Sequence, residues 1–153
     1  MNTIRIESGY ISGTVIGEPG KEVNIYRGIP YAAPPIDDLR WKPPKKAAPW
    51  QGIRECTVYS MQPAQLPDIN APGDIKIPTS EDCLYLNVLT PARSNGEKLP
   101  VMVWFHGGVL RYGNGNWTLF NHYELPSRGV VLVTVNTRLG IFGLMAHSLL
   151  SKE

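Results

Sequence analysis

The residues best placed to do chemistry lie in one short run, His106-Gly-Gly-Val-Leu-Arg-Tyr-Gly-Asn-Gly-Asn116. It follows Val101-Met-Val-Trp-Phe105, a run of apolar residues with the signature of a strand buried on both faces. Consecutive glycines at the carboxyl end of such a strand let the backbone turn sharply and aim its N–H groups into the crevice above a sheet. Donors fixed in that way can stabilise the oxyanion that forms at the tetrahedral stage of acyl transfer, and one prepositioned donor is worth about 2.7 to 4 kcal/mol. The plain alternative is that Gly-Gly after a strand is only a turn.

A glycine loop needs a sheet to hold it, and the chain supplies the pattern of one. Ile4, Ile6, Tyr10, Ser12, Thr14 and Ile16 alternate between glycines at 9, 13, 17 and 20, which predicts a β-meander over residues 1–33. A third strand is expected at Val23–Tyr26, stopped by the prolines that follow. Residues 34–80 are proline-rich and read as an irregular excursion with one short strand near Arg54–Val58. Regular structure is expected to return over 81–153: a strand at Leu84–Leu89, the strand at 101–105, and a second apolar run at Val130–Val135. Two such runs with a short helix between them predict a βαβ unit and a parallel pairing. The last predicted element is a helix over Phe142–Ser151. With so few helices, one face of the sheet is expected to lie bare and the isolated chain to be poorly soluble.

Composition narrows the function classes. The chain has 153 residues, 42% of them hydrophobic and 18% charged, as in an ordinary globular protein. A net charge of +2 with scattered basic residues gives no ground for a nucleic-acid partner. No apolar run reaches the length of a membrane span, and the first residues lack the pattern of a secretory signal, so no membrane association and a cytoplasmic location are expected. Cys56 and Cys83 are expected to be free thiols. Neither they nor His106, His122 and His147 have zinc-ligand spacing, and no metal or cofactor is expected. Asn116-Trp-Thr118 fits a glycosylation pattern and is read as coincidence.

A longer signal lies in Glu81-Asp-Cys-Leu-Tyr-Leu-Asn-Val-Leu-Thr-Pro91. With Arg27-Gly-Ile-Pro-Tyr-Ala, Leu39-Arg-Trp-Lys-Pro-Pro, Val101-Met-Val-Trp-Phe-His-Gly-Gly and Asn136-Thr-Arg-Leu-Gly-Ile-Phe-Gly-Leu144, it makes nearly the whole chain resemble the type-B carboxylesterase and cholinesterase family. The resemblance implies the N-terminal portion of an α/β-hydrolase fold within a single carboxylesterase domain: a β-meander followed by the first strands of a central, mostly parallel sheet. It implies a carboxylic ester hydrolase with a serine nucleophile, acting on small-molecule esters, with Gly107, Gly108 and Val109 on one side of the oxyanion hole. Arg40 and Glu81 correspond to a structural ion pair, and His106 to a residue that braces the loop.

The family's nucleophile sits in a G-x-S-x-G elbow, followed later by an acid and a histidine. No G-x-S-x-G occurs here. The resemblance therefore implies that nucleophile, acid and histidine lie beyond Glu153, and the chain is expected to carry no catalytic residue and to be inactive alone. Val109 departs from the family's Gly or Ala and is expected to narrow or displace the hole. Restoring glycine there is expected to raise activity in a completed enzyme at about 0.5 to 1 kcal/mol of stability. Two rival readings are a catalytically lapsed cholinesterase-like binding module and the remnant of an interrupted gene.

Overall fold

The computed structural model describes residues 3–66, 78–94 and 96–150. Within them are ten strands, β1 Thr3–Ile6, β2 Gly9–Ser12, β3 Thr14–Ile16, β4 Val23–Pro30, β5 Ile53–Glu55, β6 Gln62–Pro63, β7 Thr79–Ser80, β8 Tyr85–Thr90, β9 Val101–Phe105 and β10 Val131–Val135. One helix, α1 Gly140–Leu144, follows. Among the described residues no helix is long and apolar enough to cross a membrane.

The expected N-terminal meander is divided between two sheets. β1 and β2 pair antiparallel, and β5 joins β2 in parallel, giving a three-stranded sheet ordered β1-β2-β5. β3 instead starts a five-stranded sheet ordered β3-β4-β8-β10-β9. The chain changes sheets at Gly13, where a Cβ would collide with the Ile25 carbonyl oxygen. The strand expected near 54–58 is β5, shifted toward the N-terminus.

β4 runs past Gly28 and ends at Pro30, the first of the prolines expected to stop it. Its pairing with β8 shifts between Tyr26 and Ile29, at Gly28, whose φ is 66°. The Gly28 N–H leaves the ladder and donates to Asn87 Oδ1 at 2.9 Å, so the irregularity costs no orphaned donor. Pro30 then sits at the last paired position, opposite Tyr85, where a missing N–H is tolerated. Apolar side chains fill the interior on either side of this strand. Ile11, Tyr26, Ile29 and Cys56 form one buried cluster, and Val23, Ile25, Leu89 and Leu132 another.

The two apolar runs pair in parallel, Val101 opposite Val131 through Phe105 opposite Val135. The other three pairings of this sheet are antiparallel. β9 is not buried on both faces as its composition predicts. It forms the sheet edge, and all five of its residues are exposed, from 37% at Trp104 to 64% at Phe105. Of this pair, only β10, flanked by β8 and β9, has a covered side.

The link between β9 and β10 contains two short 3-10 turns, Thr118–Phe120 and Pro126–Arg128, in place of an α-helix. The terminal helix is also shorter than expected. It starts at Gly140, after Leu139 in an extended conformation, and stops at Leu144, because Met145 is extended as well. Of the longer helix expected there, Ser151 lies outside the described residues, as do residues 67–77 of the proline-rich excursion. Glu153, the residue beyond which the nucleophile, acid and histidine are expected, lies outside them too.

Candidate active site

The glycine loop leaves the carboxyl end of β9 and folds back on itself. His106 Nδ1 lies 2.7 Å from the Gly107 carbonyl oxygen, which can only accept, so Nδ1 carries the proton. Nε2 is then an acceptor; it is buried and has no partner among the described residues. Burial pushes the imidazole below its ordinary value, partly offset by the bond to Gly107. A neutral ring is the form this environment favours.

Gly108 has φ 113°, and a Cβ there would overlap the Tyr112 carbonyl oxygen. Its own carbonyl accepts from the N–H groups of Arg111, at 2.9 Å, and Tyr112, at 3.2 Å. Gly113 closes the loop with φ 109°, its missing Cβ leaving room for the His106 ring, whose Nδ1 would lie 2.6 Å away. The turn thus requires glycine at both places for steric reasons, beyond any general preference for flexibility.

Gly107 and Val109 are exposed and Gly108 is half-buried. Among the described residues, none accepts a hydrogen bond from the backbone N–H of Gly108 or Val109. Two adjacent donors therefore stand free at the mouth of the sheet, which is what an oxyanion site requires.

Val109 has φ 55° and Leu110 φ 57°. A β-branched residue in the left-handed region carries real strain, of order 1 to 3 kcal/mol. This reverses the sign of the stability change expected for glycine at 109. The positive φ penalises valine in the folded chain, and relief of that strain outweighs the added chain entropy of glycine. The Val109 side chain is 79% exposed, so it touches little that would reward the strain.

What holds the loop is a buried amide network that sequence reasoning did not identify. Asn87 Nδ2 lies within hydrogen-bond distance of the Gly115 carbonyl oxygen (3.2 Å), Asn116 Oδ1 (3.1 Å) and Thr134 Oγ1 (3.0 Å). Thr134 donates to Asn121 Oδ1 at 2.9 Å, and Asn121 Nδ2 donates to the Gly115 carbonyl oxygen at 2.7 Å. The Gly115 N–H donates to Asn136 Oδ1, also at 2.7 Å. Gln65 forms a two-way clamp, with Nε2 donating to the Gly113 carbonyl oxygen and Oε1 accepting from the Gly113 N–H.

Asn87, Asn114, Asn116, Asn121, Thr134 and Asn136 are all buried. A usable signal did exist: Asn87 and Thr134 interrupt otherwise apolar strands, and a polar side chain there must find buried partners. Asn116, only 1% exposed, also donates to the Ser60 carbonyl oxygen, so the folded chain leaves no room for a glycan on it.

Arg40 and Glu81 meet through two parallel bonds, Nε to Oε2 at 2.5 Å and Nη2 to Oε1 at 2.8 Å. The carboxylate holds the Arg40 guanidinium above its ordinary value. The pair steadies the segment in which Trp41 Nε1 donates to the Ile141 carbonyl oxygen at 2.9 Å, and the Lys42 carbonyl oxygen accepts from Arg138 at 3.0 Å. Its reach is therefore to α1, and α1 is joined to the glycine loop by the Gly140 N–H donating to the Leu110 carbonyl oxygen at 2.8 Å.

Cys56 and Cys83 are both buried free thiols. Burial pushes both upward, Cys83 to about 12 with help from the nearby Asp82 carboxylate. Such thiols are poor nucleophiles. No cluster of potential metal ligands occurs among the described residues.

A mixed sheet whose parallel pair ends in a glycine loop with free backbone donors is an α/β-hydrolase arrangement. The carboxylesterase family model matches residues 1–150, and the chain belongs to that family. It is 42% identical over 142 residues to the fumonisin B1 esterase of Sphingopyxis macrogoltabida, an alignment covering 93% of this chain and 26% of that protein. It is 38% identical over 135 residues to the para-nitrobenzyl esterase of Bacillus subtilis, covering 87% and 27%. Among solved structures, a thermophilic PNB esterase superposes with a TM-score of 0.86 at 38% identity, covering 96% of this chain and 30% of that one. The chain thus spans about a quarter of the length of these curated relatives.

Proposed function

We propose that this chain supplies one side of the oxyanion hole of a carboxylic ester hydrolase, built by the loop Gly107, Gly108 and Val109, with the backbone N–H groups of Gly108 and Val109 as the donors. The observation that carries this reading is the pair of free donors at Gly108 and Val109, held at the end of a parallel strand by Gly113 and the asparagine network. In the reaction a serine from beyond Glu153 attacks the ester carbonyl. Its oxygen takes up the electron pair of the C=O π bond and turns toward the two N–H groups. A histidine, expected like the serine from another segment, takes the serine's proton during the attack and gives it to the departing alkoxide as the intermediate collapses, so that the alcohol leaves and an acyl-serine remains for water to cleave. Arg40, Glu81 and His106 act on this reading as positioning residues. Cytoplasmic residence belongs to the same reading, supported by two unpaired buried thiols.

The test replaces the matching segment of the B. subtilis para-nitrobenzyl esterase with residues 1–150 of this chain. The chimera is expected to hydrolyse p-nitrophenyl acetate, while the isolated chain is expected to match a heat-treated control. Labelling of the isolated chain by a fluorophosphonate would overturn the assignment of the nucleophile to another segment. A second reading, a lapsed binding module, is favoured by one observation, the strained Val109. A folded chimera that is inactive with Val109 and gains activity with Val109→Gly would decide for it.

A further inference from the structure

An open cavity of about 930 Å³ lies beside the glycine loop, with Gln65, Thr79, Arg111, Tyr112, Leu139 and Phe142 among its lining residues. Among the described residues Arg111 is the single charged one in that lining, and no carboxylate contributes to it. The Arg111 backbone is fixed by its bond to the Gly108 carbonyl oxygen, two residues from the free donor at Val109. Its guanidinium, in contrast, makes no ion pair or hydrogen bond among the described residues.

Most other arginines are engaged. Arg27 bonds Thr14 and lies over the Tyr59 ring, Arg40 pairs with Glu81, Arg93 with Glu22, and Arg138 bonds the Lys42 carbonyl oxygen. Arg5 and Arg54 lie over aromatic rings. The polar groups that share the cavity with Arg111 divide by what they have left to offer. Gln65 has both amide hydrogens and its oxygen committed to Pro63 and Gly113, so it is a wall. Thr79 and Tyr112 retain hydroxyl groups with no protein partner among the described residues.

We propose that this cavity is an anion-recognising subsite, and that it selects esters carrying a carboxylate beyond the scissile bond. The planar guanidinium presents paired donors suited to a carboxylate, the two hydroxyls add donors, and Ile141 and Phe142 contact the carbon chain between carboxylate and ester. The inference names the substrate class for the proposed hydrolase, and its ester part rests on that reading. Carboxylate recognition is tested separately from hydrolysis.

The experiment measures binding to the 153-residue chain by titration followed in NMR spectra, with monomethyl succinate and dimethyl succinate as probes. They share a carbon chain and differ in one negative charge. The monoanion is expected to bind about fivefold more tightly, the upper range for one exposed charge pair, and the preference is expected to shrink as salt rises. Arg111→Gln is expected to abolish the preference and Arg111→Lys to keep part of it. Equal binding of the two probes, no binding of either, or a preference that survives Arg111→Gln would overturn the proposal. In the chimera described above, hydrolysis of p-nitrophenyl acetate without any gain for a p-nitrophenyl hemisuccinate would also overturn it while leaving the esterase reading intact.

Discussion

β9 and β10 are both short, mostly apolar runs with valine at the first and third positions, run side by side in register, and sit in opposite surroundings. Met102 lies directly across from Leu132, yet Met102 is 46% exposed and Leu132 6%. Trp104 lies across from Thr134, and there the polar residue is the fully buried one. The difference comes from neighbours. β8 covers one side of β10 and brings Leu89 and Asn87 with it, whereas β9, among the described residues, pairs with β10 alone and has the Trp104 ring against Phe120. An apolar run states that a strand can be buried; the elements that pack against it decide whether it is.

The largest expected effect separates these two strands. Leu132→Ala should lower stability by about 3 kcal/mol, since it empties a site shared with Val23, Ile25 and Leu89. The register partner Met102→Ala should change it by no more than about 0.5 kcal/mol. Urea denaturation of both variants checks the pair, and equal losses would break the comparison.

Next comes the polar counterpart. Asn87→Ala should cost about 2 kcal/mol, because it strips the Gly28 N–H of its acceptor and removes the donor shared among Gly115, Asn116 and Thr134. It should also loosen the glycine loop, seen as faster amide exchange at Gly113 and Gly115. Loss of stability with unchanged exchange would show that the network supports the sheet and leaves the loop alone.

Val109→Gly should raise stability by about 1 kcal/mol, by release of the strain at φ 55°. A higher midpoint in the same denaturation experiment checks this, and a lower one would mean that chain entropy wins. In the chimera the same change should raise kcat/KM for p-nitrophenyl acetate.

The smallest effect is a pH dependence at His106. Burial holds its folded-state pKa below the unfolded value, so the folded chain disfavours the proton that the unfolded chain accepts. The stability tied to the neutral ring is present above pH about 6.5 and is lost as pH falls through the folded-state value. His106→Asn should flatten that part of the stability profile relative to the unmodified chain, as measured by urea midpoints from about pH 7.5 down to about pH 5, a window set around the ordinary histidine value.

Much of this protein follows from its sequence. The strand at 85–90 and the parallel pair β9–β10 are legible because their apolar runs are short and punctuated by proline, glycine and polar turns. The glycine loop is legible because few residues other than glycine take the angles found at 108 and 113. The resemblance to the carboxylesterase family rested on motifs spread over nearly the whole chain, and the family match covers residues 1–150.

What lay beyond the sequence depends on distant partners. Local alternation could not reveal that β2 and β3 part company at Gly13, since the obstacle there is the carbonyl oxygen of Ile25 on another strand. It could not reveal that β4 survives a bulge, since the substitute acceptor is a side chain on β8. The exposure of β9, the strain at Val109 and the uncommitted guanidinium of Arg111 among the described residues are likewise properties of what packs, or does not pack, against a residue. Residue types fix which groups can donate, accept or turn the backbone; only the tertiary structure decides which of those capacities are already spent, and the physical reason is that a hydrogen bond or a buried contact needs a second partner that sequence distance does not locate.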